Sequence, residues 1–431
     1  MKRLANKIRT QLNMSNCFIM CTIISLTITF ITLFLSHGDL WSKIFFHDSL
    51  DTGMDFFHSI EYTRGRSPYE LYNTLYPPLA NLLFYVLFRL VPLEQARQWA
   101  DTFSEGIVAR GSFTDLRIWQ PTMMLFILFI MLTTALLIYI VKKATLNETY
   151  SHWLSLCVLL SYGVLYSLER GNIIILCVIC CLFFICYKDS TNKWMAEFAL
   201  ITLAISAGLK LYPAVFGLLL LYDKQYKKAI RTIIYGIACF ILPFFVFREG
   251  INGLPIFLDV LTNHTSELYL TTRGFSIDKI INSVAFIFIK LINWDVPFYV
   301  LEQLLVWGTK LNILAIIPAI CGFFVPKRWQ KILSCSLTIL LYQSQGVYIL
   351  SFLTIPFLFM IAEEHTFSRK NIIPYVALLF SQLVLPITEG EDALMQLSVK
   401  YGRFQLCISV LLVYLIIHAF VSPNKASNQK A

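Results

Sequence analysis

The stretch "MMLFILFIMLTTALLIYIV", residues 123–141, decides the fold class of this chain. It carries no charge and is about as long as the roughly 20 apolar residues that an α-helix needs to cross a bilayer. Similar apolar runs occupy residues 17–35, 198–220, 230–247, 332–350 and 406–420. The chain is 14% charged, whereas soluble proteins carry about 25% charged residues. We therefore predict an all-α polytopic membrane protein, a single integral-membrane domain of residues 1–431 with about 11 to 13 spans.

The net charge of +9 is spread over short basic clusters beside the apolar runs, at residues 2–9, 224–231, 327–331 and 425–430. Such clusters mark the cytoplasmic ends of membrane helices, so we predict a cytoplasmic N-terminus and no nucleic-acid partner. The run at 17–35 lacks a small-residue cleavage pattern, so we expect an uncleaved first helix. All 11 cysteines lie in apolar runs. This argues against a disulfide framework or a metal site and fits a bacterial cytoplasmic membrane.

Three polar segments are expected outside the cytoplasm: a first loop at 36–75, a second large loop at 248–278 and a short loop at 388–400. Two topologies are open. In the first, residues 75–91 do not fully cross the membrane and Pro213 separates two helices. The polar segments "LERGN" (168–172) and "KLYP" (210–213) then lie on the side of the first loop. In the second, 75–91 crosses and "LERGN" faces inward. We favour the first, because it places every basic loop inside.

Ionisable residues at membrane depth are costly, and three such groups are candidate functional residues. They are Asp55 in the first loop, Glu169 and Arg170 in "LERGN", and Lys210 in "KLYP". Each also has a purely structural interpretation, as a helix-end charge that snorkels or pairs with a neighbour. Together, a carboxylate, several cations and nearby tyrosines suit a reaction whose leaving group is a lipid-linked phosphate. The cations would hold the phosphate, and the carboxylate would take a proton from an attacking sugar hydroxyl.

The order of these motifs resembles the GT-C superfamily of integral-membrane glycosyltransferases, and within it glycosyltransferase family 87. The resemblance lies within residues 45–245, and its matching segments are Asp55-Phe56, Gly65 to Tyr69, "YPPL" (76–79), Gly171-Asn172 and Lys210 to Pro213. One segment departs from the family pattern, since the glutamine of its Gly-Gln-x-Asn motif is absent here.

The resemblance implies inverting transfer of a hexose, glucose or mannose, from a polyprenyl-phosphate donor to a glycan or glycolipid acceptor. The reaction would take place on the outer face of the membrane, in the modification of a surface polysaccharide such as O-antigen. It implies Asp55 as general base, with Asp51 as the alternative. The expected donor-phosphate ligands are Lys210, Arg170, Arg64 and Arg66. The expected sugar and acceptor ligands are Tyr69, Tyr76, Glu169, Asn172, Tyr212, His264 and Arg273.

Two other classes stay open. A polysaccharide polymerase or ligase also uses polyprenyl-linked sugars, but through long arginine-rich loops, and the loop 248–278 has only Arg248 and Arg273. A transporter or lipid flippase would place charges at the bilayer midplane and show inverted repeats. We expect no cofactor and no metal. The expected partners are the lipid-linked donor and the acceptor, and the sequence makes no prediction of the oligomeric state.

Overall fold

A computed structural model describes residues 13–40, 44, 52–63, 65–91, 94, 115–145, 149–266, 273–292, 297–342, 346–387 and 399–421. Most of these residues lie in helices, and no β-strand occurs among them. The all-α class predicted from the composition is therefore confirmed.

The α-helices are, in chain order, α1 Met14–Leu35, α2 Met54–Tyr62, α3 Pro78–Phe88, α4 Gln120–Ala144, α5 Ser151–Leu159, α6 Tyr162–Arg170, α7 Ile174–Tyr187, α8 Lys193–Leu209, α9 Leu218–Tyr222, α10 Tyr226–Ile241, α11 Gly253–Ser266, α12 Ile277–Leu291, α13 Phe298–Leu311, α14 Ile316–Cys321, α15 Arg328–Tyr342, α16 Thr354–Glu364, α17 Ile372–Gln382 and α18 Val399–Val421. Short 3₁₀ helices lie at Leu116–Ile118, Tyr212–Gly217, Leu242–Val246, Gly250–Asn252, Asn312–Ala315 and Val347–Leu353.

Five helical segments among the described residues are long and apolar enough to cross a membrane: Met14–Leu35, Gln120–Ala144, Tyr226–Val246, Val347–Glu364 and Val399–Val421. The pair α5 and α6, bent by 56°, adds a sixth if it counts as one span. This is fewer than the 11 to 13 expected, because several apolar runs are broken. The run at 198–220, for example, is split where Lys210 adopts an extended conformation and the 3₁₀ helix Tyr212–Gly217 begins. The remaining apolar segments form shorter helices of 10–17 residues.

The spans differ in how much protein surrounds them. In the segment Val347–Glu364, 78% of the apolar window is buried inside the protein, against 22% for α1 and α4 and 17% for Tyr226–Val246. The central segment is therefore enclosed by other helices, whereas the peripheral ones present long apolar side chains outward. This is the distribution expected for a bundle solvated by lipid.

One end of the bundle is rich in paired basic residues. Lys188, whose side chain is 3% exposed, contacts Asp189 (2.6 Å) and Asp223 (2.8 Å). Lys331 pairs with Asp223 (2.8 Å), and Lys228 pairs with Asp189 (3.0 Å). These contacts join the loops that follow α7 and α9 to the first turns of α10 and α15. We call this end of the bundle the basic end.

The opposite end holds the first loop together with "LERGN" and "KLYP". Helix α7 starts there after Asn172 and reaches the basic end at Tyr187, whereas α8 runs back and ends beside the first loop at Leu209. Helix α3, Pro78–Phe88, is only 11 residues long. The three polar segments thus lie together, as the first of the two topologies predicts.

Candidate active site

The first loop is held against "LERGN" by its own backbone. Helix α2 begins after Gly53, whose φ of +72° is a conformation that favours glycine. The Gly53 N–H donates to the Glu169 carbonyl (2.9 Å), and the Thr52 hydroxyl donates to Glu169 Oε1 (2.5 Å). Buried Phe56 packs on Phe126 of α4 at 5.3 Å between ring centroids. These contacts fix the first turn of α2, which carries Asp55.

Asp55 is the centre of the site. Arg170 Nη2 donates to Asp55 Oδ1 (2.8 Å), and Asn172 Nδ2 donates to Asp55 Oδ2 (2.7 Å). Gly171, with φ of +66°, ends α6 between these two partners. The Asn172 Oδ1 atom accepts the Ile174 N–H (2.9 Å), which orients its amide with the nitrogen toward the carboxylate. Two motifs that are far apart in sequence therefore form one ion pair with a supporting hydrogen bond.

The environment of Asp55 keeps its carboxyl group ionised. Burial by itself raises the pKa of Asp55, but the Arg170 guanidinium, the two hydrogen bonds and the charge of Lys210 outweigh burial. The resulting pKa lies below the usual range, because each of these partners stabilises the charged form. A carboxylate has about four lone-pair sites, so Asp55 retains acceptor capacity beyond its two protein partners. It can therefore accept a proton from a bound hydroxyl at neutral pH.

Lys210 supplies a cation close to this carboxylate. It follows the last residue of α8, and its Nζ atom lies 4.0 Å from the Tyr76 ring centroid and 5.4 Å from that of Tyr348. Cation–π contacts of this kind hold an ammonium group without neutralising it. The charge of Lys210 is thus available to a phosphate at the same end of the bundle.

Tyr212 contributes a polar group to the same region. Its ring packs edge-on against Phe352 (5.8 Å), and it lies near enough to Asp55, Tyr76 and Tyr348 to interact with them electrostatically. Its hydroxyl is buried and has no hydrogen-bond partner among the described residues. Such groups are rare in folded proteins and are costly unless a ligand or water satisfies them.

The structure thus brings together Asp55, Arg170, Asn172, Lys210, Tyr76 and Tyr212, with Glu169 alongside through its contacts to residues 52 and 53.

Two other predicted residues lie elsewhere. Tyr69 is fully buried between Phe244 and Phe257, each 5.5 Å away, and its hydroxyl donates to the Tyr76 carbonyl (3.1 Å). Arg66 is exposed, and its Nε donates to the Val246 carbonyl (3.1 Å). Both side chains tie the first loop to the segment that follows α10 and do not point to Asp55.

The remaining candidates have less structural detail. Asp51 and Arg64 lie outside the described residues, and only the backbone of His264, in α11, is described. Arg273 precedes Gly274, whose carbonyl accepts Gln405 Nε2 of α18 (2.9 Å). Arg273 is therefore placed beside the first turns of α18.

Sequence reasoning missed Tyr348 and Tyr166. Tyr348 stands beside Lys210, and Tyr166 lies 6.5 Å from Tyr348, one turn before Arg170 on α6. Both tyrosines occur in apolar runs. The only local signal was the polar break "QSQG" (343–346) just before Tyr348. Over the part of the chain that is described, no three His, Cys, Asp or Glu residues are grouped as metal ligands would be.

Comparison with known proteins gives one match. The sequence model for glycosyltransferase family 87 matches residues 74–356, about two thirds of the chain, and this segment contains Arg170, Asn172, Lys210 and Tyr348. Asp55 lies before it. No curated protein and no solved structure shows a significant match.

Proposed function

The chain belongs to glycosyltransferase family 87, and from this premise we propose an inverting hexosyltransferase that uses a polyprenyl-phosphate-linked donor. The hexose, glucose or mannose, passes to a glycan or glycolipid acceptor during the modification of a cell-surface polysaccharide such as O-antigen. The enzyme acts in the cytoplasmic membrane of a bacterium, with its site on the outer face.

The observation that carries this proposal is the environment of Asp55. A single carboxylate is kept ionised by Arg170 and Asn172, and it lies beside the separate cation of Lys210. A base and a phosphate-binding cation are the two groups that inverting transfer from a sugar phosphate requires.

The reaction follows from this pairing. Asp55 accepts the proton of an acceptor hydroxyl, and the hydroxyl oxygen bonds to C1 of the hexose on the face opposite the phosphate. The bond between C1 and the phosphate oxygen breaks, and polyprenyl phosphate leaves with the electron pair. Attack from the opposite face inverts the configuration at C1. Negative charge moves onto the phosphate in the transition state, where a nearby cation stabilises it.

Lys210 and Arg170 have different parts in this scheme. Arg170 already bonds Asp55 at 2.8 Å, so its main role is to orient the base and keep it ionised. Among the described residues, the Lys210 ammonium contacts only the aromatic rings of Tyr76 and Tyr348. Lys210 is therefore the better donor-phosphate ligand, and Tyr212 offers its hydroxyl to a sugar.

The charge distribution supports the outward orientation. The paired lysines of the basic end lie at the end of the bundle opposite Asp55. Because basic clusters mark the cytoplasmic side, the site then faces outward.

The test measures hexose transfer in membranes that contain the wild-type protein or a variant at matched expression. Polyprenyl-phosphate-glucose and polyprenyl-phosphate-mannose serve as donors. Asp55→Asn should lower the rate by about 10²–10⁴-fold, which is the contribution of a general base. Asp51→Asn should keep most of the activity, and Asp259→Asn, an exposed carboxylate on α11, is the matched control.

The outcomes separate the parts of the proposal. A wild-type protein that transfers neither hexose would remove the donor assignment. Activity retained in Asp55→Asn but lost in Asp51→Asn would move the base to residue 51.

A further inference from the structure

Arg403 is a further cation, in the C-terminal part of the chain that follows the family match. It stands in the second turn of α18, with its guanidinium carbon 4.1 Å from the Phe404 ring centroid and 5.4 Å from that of Tyr162. The side chain is partly accessible, and its Nη1 atom is buried with no hydrogen-bond acceptor among the described residues. No carboxylate of those residues lies within ion-pair distance of it. A guanidinium in this position can bind an anion.

An apolar groove lies between α17 and α18, along the part of α18 that follows Arg403. The groove is open and has a volume of about 400 Å³, and its lining side chains include Val376, Phe380, Leu406 and Val410. Leu406 and Val410 follow Arg403 by three and seven positions, so all three lie on one face of α18. Phe380 and Leu406 are exposed outward, which means that the groove opens on the surface that faces lipid.

Arg403 is connected to the site around Asp55 by a chain of aromatic side chains. Tyr162, under Arg403, lies 6.3 Å from Tyr166, and Tyr166 lies 6.5 Å from Tyr348, the ring beside Lys210. Tyr166 also interacts electrostatically with Asp55. Arg403 and Lys210 are therefore two separate cations at the same end of the bundle, with aromatic side chains between them.

We propose that Arg403 binds the phosphate of a polyprenyl-linked acceptor and that the α17–α18 groove binds its hydrocarbon chain. This inference rests on the proposed function, in which Lys210 serves the donor phosphate. A second cation with its own groove then fits a second lipid substrate. The cation at the outer end and the apolar lining below it match a phosphate headgroup joined to a chain in the membrane. The acceptor sugar lies between Arg403 and Asp55, next to the tyrosine rings.

The test measures binding of two probes to the purified full chain. One probe is a polyprenyl diphosphate that carries a single sugar, and the other is polyprenyl-phosphate-glucose. Arg403→Gln should weaken binding of the first probe by about tenfold or more, the usual effect of losing a charge-assisted hydrogen bond. Val410→Trp, which fills the groove without touching the guanidinium, should do the same. Both variants should bind the second probe within about twofold of wild type.

Three controls make the pattern specific. Lys210→Gln should show the reverse pattern, with the donor probe weakened. Arg231→Gln removes an arginine at the basic end, and Leu132→Trp adds a tryptophan to an exposed position of α4. These last two should bind both probes like wild type. Thermal unfolding of each variant identifies any loss of binding that comes from misfolding, and Arg403→Lys should then restore part of the affinity.

Each result has a definite reading. Unchanged affinity of Arg403→Gln and Val410→Trp for the acceptor probe would overturn the inference while leaving hexose transfer intact. If the variants lose binding of the donor probe alone, the groove belongs to the donor. If phosphatidylglycerol competes equally well with the acceptor probe, the groove is a general phospholipid site. Both results overturn the acceptor assignment. If the acceptor probe binds through Arg403 but no donor hexose is transferred, the proposed function fails and the lipid site stands.

Discussion

Gly171 joins the two partners of Asp55, and the change Gly171→Ala tests whether their geometry matters. An alanine Cβ at this position would lie 2.6 Å from Phe126 Cε2 and 2.7 Å from the Cβ of Phe56. Both distances are shorter than real Cβ contacts. The backbone φ of +66° is also one that alanine adopts only at a cost.

These two effects set the expected size. The left-handed conformation costs alanine about 1–2 kcal/mol. Overpacking of a filled interior costs about 1–3 kcal/mol, and the lower entropy of the unfolded chain offsets about 0.4–1 kcal/mol. The free energy of unfolding should therefore fall by about 1–4.5 kcal/mol. The clash also pushes against Phe56, which follows Asp55. Loss of one aligned, charge-assisted hydrogen bond to the base should lower the transfer rate about tenfold or more.

The assay combines unfolding of detergent-purified protein with hexose transfer in membranes. Gly236→Ala is the matched control, because a Cβ on Gly236 of α10 meets no atom within 4 Å. Alanine there should leave activity unchanged and stabilise the helix by about 0.5–1 kcal/mol. Wild-type stability and activity in Gly171→Ala would refute the reasoning, because the packing around residues 170–172 would then not hold the site together.

Other substitutions test the charges. The pKa of Asp55 lies below its usual range, so the wild-type transfer rate should fall only at acid pH. Arg170→Gln removes the strongest opposing charge, so the pKa of Asp55 should rise and the acidic limb of the pH–rate profile should move to higher pH. An unmoved limb with a raised KM for the donor would instead place Arg170 on the phosphate. Asp223→Asn removes a carboxylate from buried Lys188 and should lower the free energy of unfolding by about 1–3 kcal/mol. The exposed control Asp39→Asn, just after α1, should stay within about 0.5 kcal/mol in the same measurement.

Composition predicted the fold class, because charge depletion and long apolar runs leave few alternatives to membrane helices. Helix boundaries were harder to predict. The run 332–350 reads as one apolar segment, yet α15 ends at Tyr342 and a separate 3₁₀ helix begins at Val347. Apolar composition indicates which residues can lie in lipid, whereas local caps and packing determine where a helix ends. The number of long helices therefore did not follow from hydropathy.

The site was predicted in part. Its three polar segments were expected on one side, but the bond from Arg170 to Asp55 spans 115 residues and has no local signature. Tyr69 shows the opposite problem. It belongs to a motif that resembles the family, and its burial between phenylalanines appears only in three dimensions. Arg403 lies beyond the segment that carried the resemblance, so nothing in the sequence distinguished it from an ordinary basic residue near a helix end.

The ion pair between Asp55 and Arg170 also has a consequence for biosynthesis. At about 5–20 residues per second, the ribosome needs roughly 6–23 s to synthesise the 115 residues that separate Asp55 from Arg170. During this interval Asp55 lacks its Arg170 partner, so its carboxylate stays hydrated. Burying the Asp55 carboxylate is energetically unfavourable until α6 has been inserted and Arg170, at its end, can pair with it. Insertion of α6 therefore brings Arg170 to Asp55, and the site is complete only after Lys210 and Tyr348 have also been synthesised.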